Sequence, residues 1–227
     1  PDEVREEMRQ HLAEMQKLYE NGYISYPRTN SEYLATNEKD KIAKILPITL
    51  YFQNDQPNPR SISDTTTLDY PTLYNRYIAQ NGIYISESGK GLTGDSLKSI
   101  RKAMETFLQD SVATGYGRLL TFCHYLKEAL SANDTIVIQI SGYASPLHNS
   151  DYNRHLSSRR IVSVLNFLNI AEGGFFKPYL EKEPSNLIIH CNPEGALQHD
   201  FSTDKARETV YGLQAAKDRK IVIDVGH

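Results

Sequence analysis

Residues 135–168 constrain the fold more than any other stretch of the chain, because two structural periods follow one another within it. In TIVIQIS, 135–141, isoleucines alternate with other residues, and a period of two is typical of a strand with one buried face. From 149 to 168 apolar residues recur at helical spacing, with Asn149 or Ser150 as the N-cap. The sequence therefore predicts a strand, a loop and a long helix that packs back on the sheet.

The rest of the chain supplies further elements of both kinds. Alternating apolar residues predict strands at 46–52, 187–191 and 220–225. Helical spacing predicts helices at 2–20, 37–44, 70–80 and 95–113, and another that follows Gly115 and Gly117 and runs to Leu130. This order of strand, helices, strand, helix and two strands predicts an α+β sandwich with helices packed on a mixed sheet. We assign residues 1–45 to an N-terminal helical extension or linker and residues 46–227 to the domain.

Composition argues against two classes of partner. Hydrophobic residues make up 39% of the chain and charged residues 23%, and no apolar run approaches the roughly 18 residues that a membrane span needs. The formal net charge is −3 and the Lys and Arg residues are scattered, so the basic surface that nucleic-acid binding requires is not expected. Neither nucleic acid nor a direct membrane span is therefore predicted.

The two cysteines, Cys123 and Cys191, show no metal-ligand spacing. Each lies in a stretch that is predicted to be a buried helix or strand, so both are expected to be inert thiols. A disulfide between them stays an open alternative, because the separation of their Cα atoms cannot be read from the sequence.

A polar stripe on the 149–168 helix is the first candidate site. Asn153, Ser157 and Arg160 lie at i, i+4 and i+7, beside the apolar face of the helix. A guanidinium is always charged, and its rigid fork matches a carboxylate with two hydrogen bonds. The first turn of the same helix offers free N–H groups and a partial positive charge next to the loop GYASPLHNS, 142–150. The strand end, the loop and the helix start together predict a corner that receives an anion.

The string GYASPLHNSDYNRHLSSRRIVSVLNFL, 142–168, resembles the OmpA C-terminal-like family, whose pattern is a Gly-aromatic-Thr-Asp loop, Tyr-Asn, Leu-Ser, paired Arg and a hydrophobic helix. AAKDRKIVI, 215–223, is similar to the family's closing strand, and LYFQND, 50–55, to its opening strand and loop. The resemblance implies a β-α-β-α-β-β sandwich: a mixed four-stranded sheet with helices on one face and a helical insertion after the first strand. It also implies non-covalent binding of the diaminopimelate in the peptidoglycan stem peptide, without catalysis, cofactor or metal.

In this family an Asp of the loop and the second Arg of the helix hold the ammonium and the carboxylate of the ligand. The Arg corresponds to Arg160, but the Asp corresponds to Ser145, which cannot neutralise an ammonium. We expect Asp55 to replace it, with Asp151 as a weaker candidate. The residues expected at the peptidoglycan site are Arg160, Asn153, Ser145, Asp55, Asn54, Tyr143, Ala144, Leu147, Tyr152 and Ser157.

The wider context is implied by two further features of the string. With GYASP in the loop and GGFFKPYL at 173–180, the chain is similar to the Bacteroidetes form of the family, which includes the C-terminal part of an outer-membrane-associated lipoprotein of the type IX secretion system. This implies a periplasmic location and a role in anchoring a secretion complex to the cell wall. Other secretion-system or outer-membrane proteins are then expected as partners of the rest of a longer exported chain.

Three alternatives stay open at this point. LYENGYISYPRTNSEYL, 18–34, resembles the segment of type IA topoisomerases that carries the nucleophilic tyrosine, with Tyr26 in its place, although no acidic cluster for a divalent metal accompanies it. A cell-wall hydrolase would draw on the histidines, but none shows metal-ligand spacing: His124, His148, His155, His190 and His199. A module of the same fold that docks a protein instead of peptidoglycan is the third.

Overall fold

Four strands form one open, mixed sheet in the computed structural model, which describes residues 38–182, 184–196 and 209–226. The strands are β1 (Ile48–Tyr51), β2 (Ile136–Ala144), β3 (Leu187–Ala196) and β4 (Lys220–Val225). Their order across the sheet is β1-β4-β2-β3, in which β4 is antiparallel to both of its neighbours while β2 and β3 are parallel. The predicted α+β class with a mixed four-stranded sheet is confirmed.

Helices fill most of the connections between these strands. They are α1 (Glu38–Ile45), α2 (Tyr70–Ile78), α3 (Asn81–Glu87), α4 (Gly94–Thr106), a π-helix (Phe107–Val112), α5 (Ala113–Ser131), α6 (Ser150–Gly174), α7 (Lys177–Glu181) and α8 (Leu213–Asp218). A run of helices therefore follows the first strand, as predicted. Within the described ranges, no helix combines the length and the apolar character that crossing a bilayer requires.

The main core lies on one face of the sheet. Leu50 of β1, Ile140 of β2 and Ile221 of β4 are fully buried, whereas the alternate residues of these strands, such as Thr49, are only half-buried. This face packs against α5 and α6, as the period of two in the strands requires. Ile42 of α1 is buried in the same core, so residues 38–45 pack with the domain. The predicted helix at 2–20 lies outside the described residues.

One continuous helical run replaces the glycine break that the sequence suggested between two helices. The chain passes from α4 through the π-helix into α5 without leaving helical structure, so the prediction that Gly115 and Gly117 separate two helices is wrong. A Cβ on Gly115 would lie 2.2 Å from the Thr49 carbonyl oxygen. This glycine therefore allows the helix to touch the edge of β1 rather than ending the helix.

Helix α6 begins where it was predicted to begin. The Asn149 side chain accepts a hydrogen bond from the Tyr152 N–H at 2.8 Å, which makes it the N-cap. The assigned range ends at Gly174, but Ala171, Glu172 and Gly173 have non-helical backbone angles, so the regular helix ends close to the predicted end. Its packing on β2 needs Gly142, because a Cβ there would lie 2.7 Å from the Ser157 carbonyl oxygen. The start of the long helix is thus held directly against the end of the strand that precedes it.

Strand β3 forms one edge of the sheet and is longer than predicted, since it extends to Ala196. Cys191 in this strand is exposed, so the prediction of a buried thiol there is wrong. Cys123 is buried in the main core as predicted, and both thiols are free.

A second apolar cluster joins α2, α3, α4 and the π-helix to α8. Helix α8 was not predicted, because residues 215–219 were read as leading straight into the last strand. The buried members of this cluster are Tyr77, Tyr84, Met104, Phe107, Leu108, Val112 and Ala216. The helices that follow β1 therefore pack against one another through this cluster, in addition to packing on the sheet.

Candidate functional site

Arg160 of α6 is fully buried beneath the segment that leaves β1, residues 52–63, which we call the β1 loop. Its Nε donates to the Gln56 carbonyl at 3.0 Å and its Nη2 to the Gln53 carbonyl at 3.5 Å. Its Nη1 donates to the Tyr143 carbonyl at the end of β2, at 2.6 Å. Arg160 therefore joins the long helix, the β1 loop and the end of the central strand at one point.

Arg159, which precedes it, holds the second half of the same loop. This guanidinium is also fully buried, with Nε donating to the Pro57 carbonyl at 3.0 Å and Nη1 to the Ser63 carbonyl at 2.7 Å. A longer contact of 3.4 Å joins Nη2 to the Tyr152 hydroxyl. The sequence signal for this role was the paired arginine, of which only the second had been assigned to a site.

Arg219, between α8 and β4, is a third buried arginine that sequence reasoning missed. Its Nη1 donates to the Asn54 Oδ1 at 3.3 Å and to the Val210 carbonyl at 2.9 Å, and its own carbonyl accepts from the Phe52 N–H at 2.9 Å. Its Nε and Nη2 are buried and have no hydrogen-bond partner among the described residues. The string AAKDRKIVI contained this residue, but nothing in it indicated that the side chain turns towards the β1 loop.

Every hydrogen bond described for these three guanidiniums runs to a neutral oxygen. Burial, with a smaller contribution from the neighbouring charges of Arg219 and Arg159, lowers the pKa of Arg160 to about 9, while Asp55 acts in the opposite direction. Three positive charges therefore lie together in a region of low dielectric, and none of the hydrogen bonds described for them runs to a carboxylate. A region of this kind attracts an anion.

Tyr152, in the first turn of α6, brings Asp55 to the start of the helix. Its hydroxyl donates to the Asp55 Oδ1 and accepts from the Arg60 N–H at 2.9 Å. Burial raises the pKa of Tyr152, and so does the bond to Asp55, which means that the hydroxyl keeps its proton. The expected replacement acid is thus fixed beside the arginine cluster, whereas Asp151 is exposed and lies 3.8 Å from His155.

Asn153 and Ser157, the other members of the polar stripe, are buried and hold the backbone in place. The Asn153 Nδ2 donates to the His148 carbonyl at 2.9 Å, while its Oδ1 has no partner in the described structure. The Ser157 Oγ donates to the Arg154 carbonyl at 2.8 Å and accepts from the Gly195 N–H at 3.1 Å. They tie the 142–150 loop and the end of β3 to α6.

The remaining predicted site residues divide into buried and half-exposed groups. Ser145 and Ala144 are buried, at 5% and 0% exposure, so neither side chain forms much of the surface. The half-exposed residues, which make the surface of the corner, are Asn54, Asp55, Tyr143, Leu147 and Tyr152. Hydrogen bonds link Asn54, Asp55 and Tyr143 to the arginines or to Tyr152, whereas no described hydrogen bond links Ala144, Ser145 or Leu147 to them.

The hydrolase alternative depends on how the histidines are arranged. No three His, Cys, Asp or Glu side chains are grouped as a metal site requires within the parts of the chain that the structure describes. His155 instead pairs with Asp64, with 2.8 Å between Nδ1 and Oδ1, and this hydrogen bond lowers the pKa of the Asp64 carboxyl. Tyr26 and His199 lie outside the described residues.

The fold and the corner define an α+β domain in which a cluster of buried arginines lies under a loop and a helix start. Comparison with known proteins adds no relative, since no family, no curated protein and no solved structure matches the chain. The function must therefore be argued from the residues of the corner.

Proposed function

We propose that the domain binds peptidoglycan non-covalently and anchors a larger, outer-membrane-associated protein or secretion complex to the cell wall in the periplasm. The observation that carries the proposal is the cluster of Arg159, Arg160 and Arg219, whose described hydrogen bonds all run to neutral oxygens. Buried charge is costly unless it is paired, and a bound carboxylate supplies the missing counter-charge. We assign this role to a carboxylate of diaminopimelate in the stem peptide.

The sequence and the fold support the same proposal. Residues 142–168 resemble the helix-entry motif of the OmpA C-terminal-like family. The observed domain shares with the implied β-α-β-α-β-β sandwich a mixed four-stranded sheet and a run of helices after the first strand, and it differs in the short helix α8 between the last two strands. We therefore propose this topology for the domain. The corner lies at the carboxyl end of β2, where the N–H groups of the first turn of α6 add a partial positive charge.

The ligand would lie on the half-exposed surface of the corner. Asn54, Tyr143 and Leu147 offer an amide, an aromatic ring and an apolar side chain to the stem peptide. Asp55 takes the ammonium, because its Oδ1 is already fixed by Tyr152 and no hydrogen bond is described for its Oδ2. The serine at position 145 then needs no charge, since the acid arrives from the β1 loop.

The second candidate is a protein-docking module of the same fold. This candidate is favoured because the Arg160 side chain is fully buried and is not open to a ligand at the surface. Its Nε, Nη1 and Nη2 each already donate to a backbone carbonyl. A guanidinium has five N–H groups, so two remain for a ligand, and these become accessible only if the β1 loop shifts. Without such a shift, the arginines can act on a ligand at the surface only through their positive charge and not through hydrogen bonds.

Co-sedimentation with insoluble peptidoglycan tests the proposal. We expect the wild-type domain to appear in the pellet. Asp55→Asn should weaken binding to peptidoglycan by about fivefold, which corresponds to the loss of one partly exposed ion pair. Arg160→Ala should remove most of the binding, and thermal unfolding of this variant shows whether the domain is still folded. Asp95→Asn, which neutralises an exposed carboxylate on α4, is the matched control and should bind like the wild type.

Each outcome decides between the candidates. A wild-type domain that stays in the supernatant contradicts peptidoglycan binding and leaves the docking module. Binding by Asp55→Asn equal to that of Asp95→Asn removes Asp55 from the site. Full binding by a folded Arg160→Ala variant contradicts the role of the arginine cluster.

A further inference from the structure

A cleft of about 180 Å³ lies on the edge of the sheet, apart from the arginine corner. Thr49 and Tyr51 of β1 form one wall of the cleft. The last turn of the π-helix and the first turns of α5 form the other wall. The residues that line it are Thr49, Tyr51, Asp110, Ser111, Thr114, Gly115 and Arg118. Almost all of these side chains carry a hydroxyl or a charge.

Two local features create this cleft. Gly115 brings the backbone of α5 against the Thr49 carbonyl, where any side chain would separate helix and strand. The π-helix just before it adds an extra residue per hydrogen-bonded turn, and such turns recur at functional sites. Asp110 and Ser111 belong to this π-helix and line the cleft.

Asp110 is exposed and Arg118 is half-buried, so water reaches the carboxylate more freely than the guanidinium. Asp110 and Arg118 line the same space, yet no ion pair joins them and no hydrogen bond to the Asp110 carboxylate is described. Arg118 donates its Nη2 to the Ile45 carbonyl, which fixes the guanidinium and leaves further N–H groups for another acceptor. A ligand that carries a carboxylate and an ammonium can pair with Arg118 and Asp110 at the same time.

We propose that this cleft binds a small zwitterion of the size of one free amino acid, with its carboxylate on Arg118 and its ammonium on Asp110. The hydroxyls of Thr49, Tyr51 and Ser111 supply the neutral hydrogen bonds. The volume of about 180 Å³ leaves room for several water molecules or for one molecule of the size of alanine. Burial raises the pKa of Tyr51, so its hydroxyl remains a donor.

Titration of the whole chain with alanine, followed by amide chemical shifts, tests this site. We expect saturable shifts at Ser111 and Thr114 with alanine. Alanine amide, which lacks the carboxylate, and N-acetylalanine, which lacks the ammonium, should each bind at least about tenfold more weakly, as the loss of one charged hydrogen bond predicts. Asp110→Asn should weaken alanine binding by a similar factor, whereas the exposed Asp95→Asn control should not.

The outcomes separate this site from the peptidoglycan corner. Absence of saturable shifts at the cleft, equal binding of the three ligands, or unchanged binding by Asp110→Asn would each overturn the zwitterion site. Co-sedimentation of Asp110→Asn with peptidoglycan should equal that of the wild type, and its loss would show that Asp110 serves the wall ligand and not a separate one.

Discussion

Replacing Arg159 is expected to destabilise the domain strongly, because this side chain holds the second half of the β1 loop. Its Nε and Nη1 donate to the Pro57 and Ser63 carbonyls at 3.0 and 2.7 Å. Each charge-assisted hydrogen bond contributes about 1.5–3 kcal/mol, so the two together contribute about 3–6 kcal/mol before other terms. Part of this is offset because the guanidinium no longer has to be desolvated. We therefore expect Arg159→Ala to lower the free energy of unfolding by about 3 kcal/mol.

Urea denaturation followed by far-UV circular dichroism measures this loss, since the chain has no Trp and its many Tyr report on several regions at once. Arg159→Met preserves much of the side-chain volume but has no donors, so it should lose nearly as much as Arg159→Ala. Arg101→Ala is the control, because Arg101 is exposed and its one hydrogen bond among the described residues runs to the Ser86 carbonyl at 3.3 Å; this change should alter stability by less than about 0.5 kcal/mol. Losses below about 1 kcal/mol for both Arg159 variants would refute the argument, and full rescue by Met would assign the effect to packing.

Three further predictions test other parts of the structure. In the folded protein at pH 8, a thiol reagent should modify Cys191 alone, because Cys123 is buried and burial raises its pKa to about 12. Both thiols should react once urea has unfolded the chain. Rapid modification of both thiols in the native state would contradict the buried position of Cys123. Gly142→Ala should lower the unfolding temperature markedly, because its Cβ would lie 2.7 Å from the Ser157 carbonyl oxygen, and an unchanged temperature would mean that α6 can move away from β2 without cost. Asp69→Ala should cost about 1 kcal/mol in urea, since Asp69 caps α2, and Asp69→Asn, which can still accept the bond, should cost much less.

Much of the fold follows from local patterns in the sequence. The isoleucines of β2 and the N-cap at Asn149 act over a few residues, and both were predicted correctly. Gly115 was misread because a glycine that ends a helix and a glycine that lets a strand approach look the same in one sequence. Helix α8 was missed because it has only six residues and is stabilised by packing in the second apolar cluster. The other residues of that cluster are distant in the sequence, so they leave no local signal.

The candidate site could be predicted only in part, for the same reason. The resemblance placed Arg160 and Tyr152 at the site, and in the structure Tyr152 donates to Asp55, whose charge acts on Arg160. It did not indicate that the three donor nitrogens of Arg160 face backbone carbonyls, because the Gln53 and Gln56 partners are 107 and 104 residues away. Arg219 lies still further from the loop that it contacts, 165 residues from Asn54.

These long separations have a consequence for synthesis of the chain. The β1 loop leaves the ribosome well before its anchors, since Arg159 follows Pro57 by 102 residues and Arg219 follows Asn54 by 165. Domains assemble from the N-terminus as they are made, but contacts of such high sequence separation form late and slowly. The loop can therefore take up its final path only when Arg219 is also present, and a chain truncated before that residue would lack one of the three arginines that hold this corner.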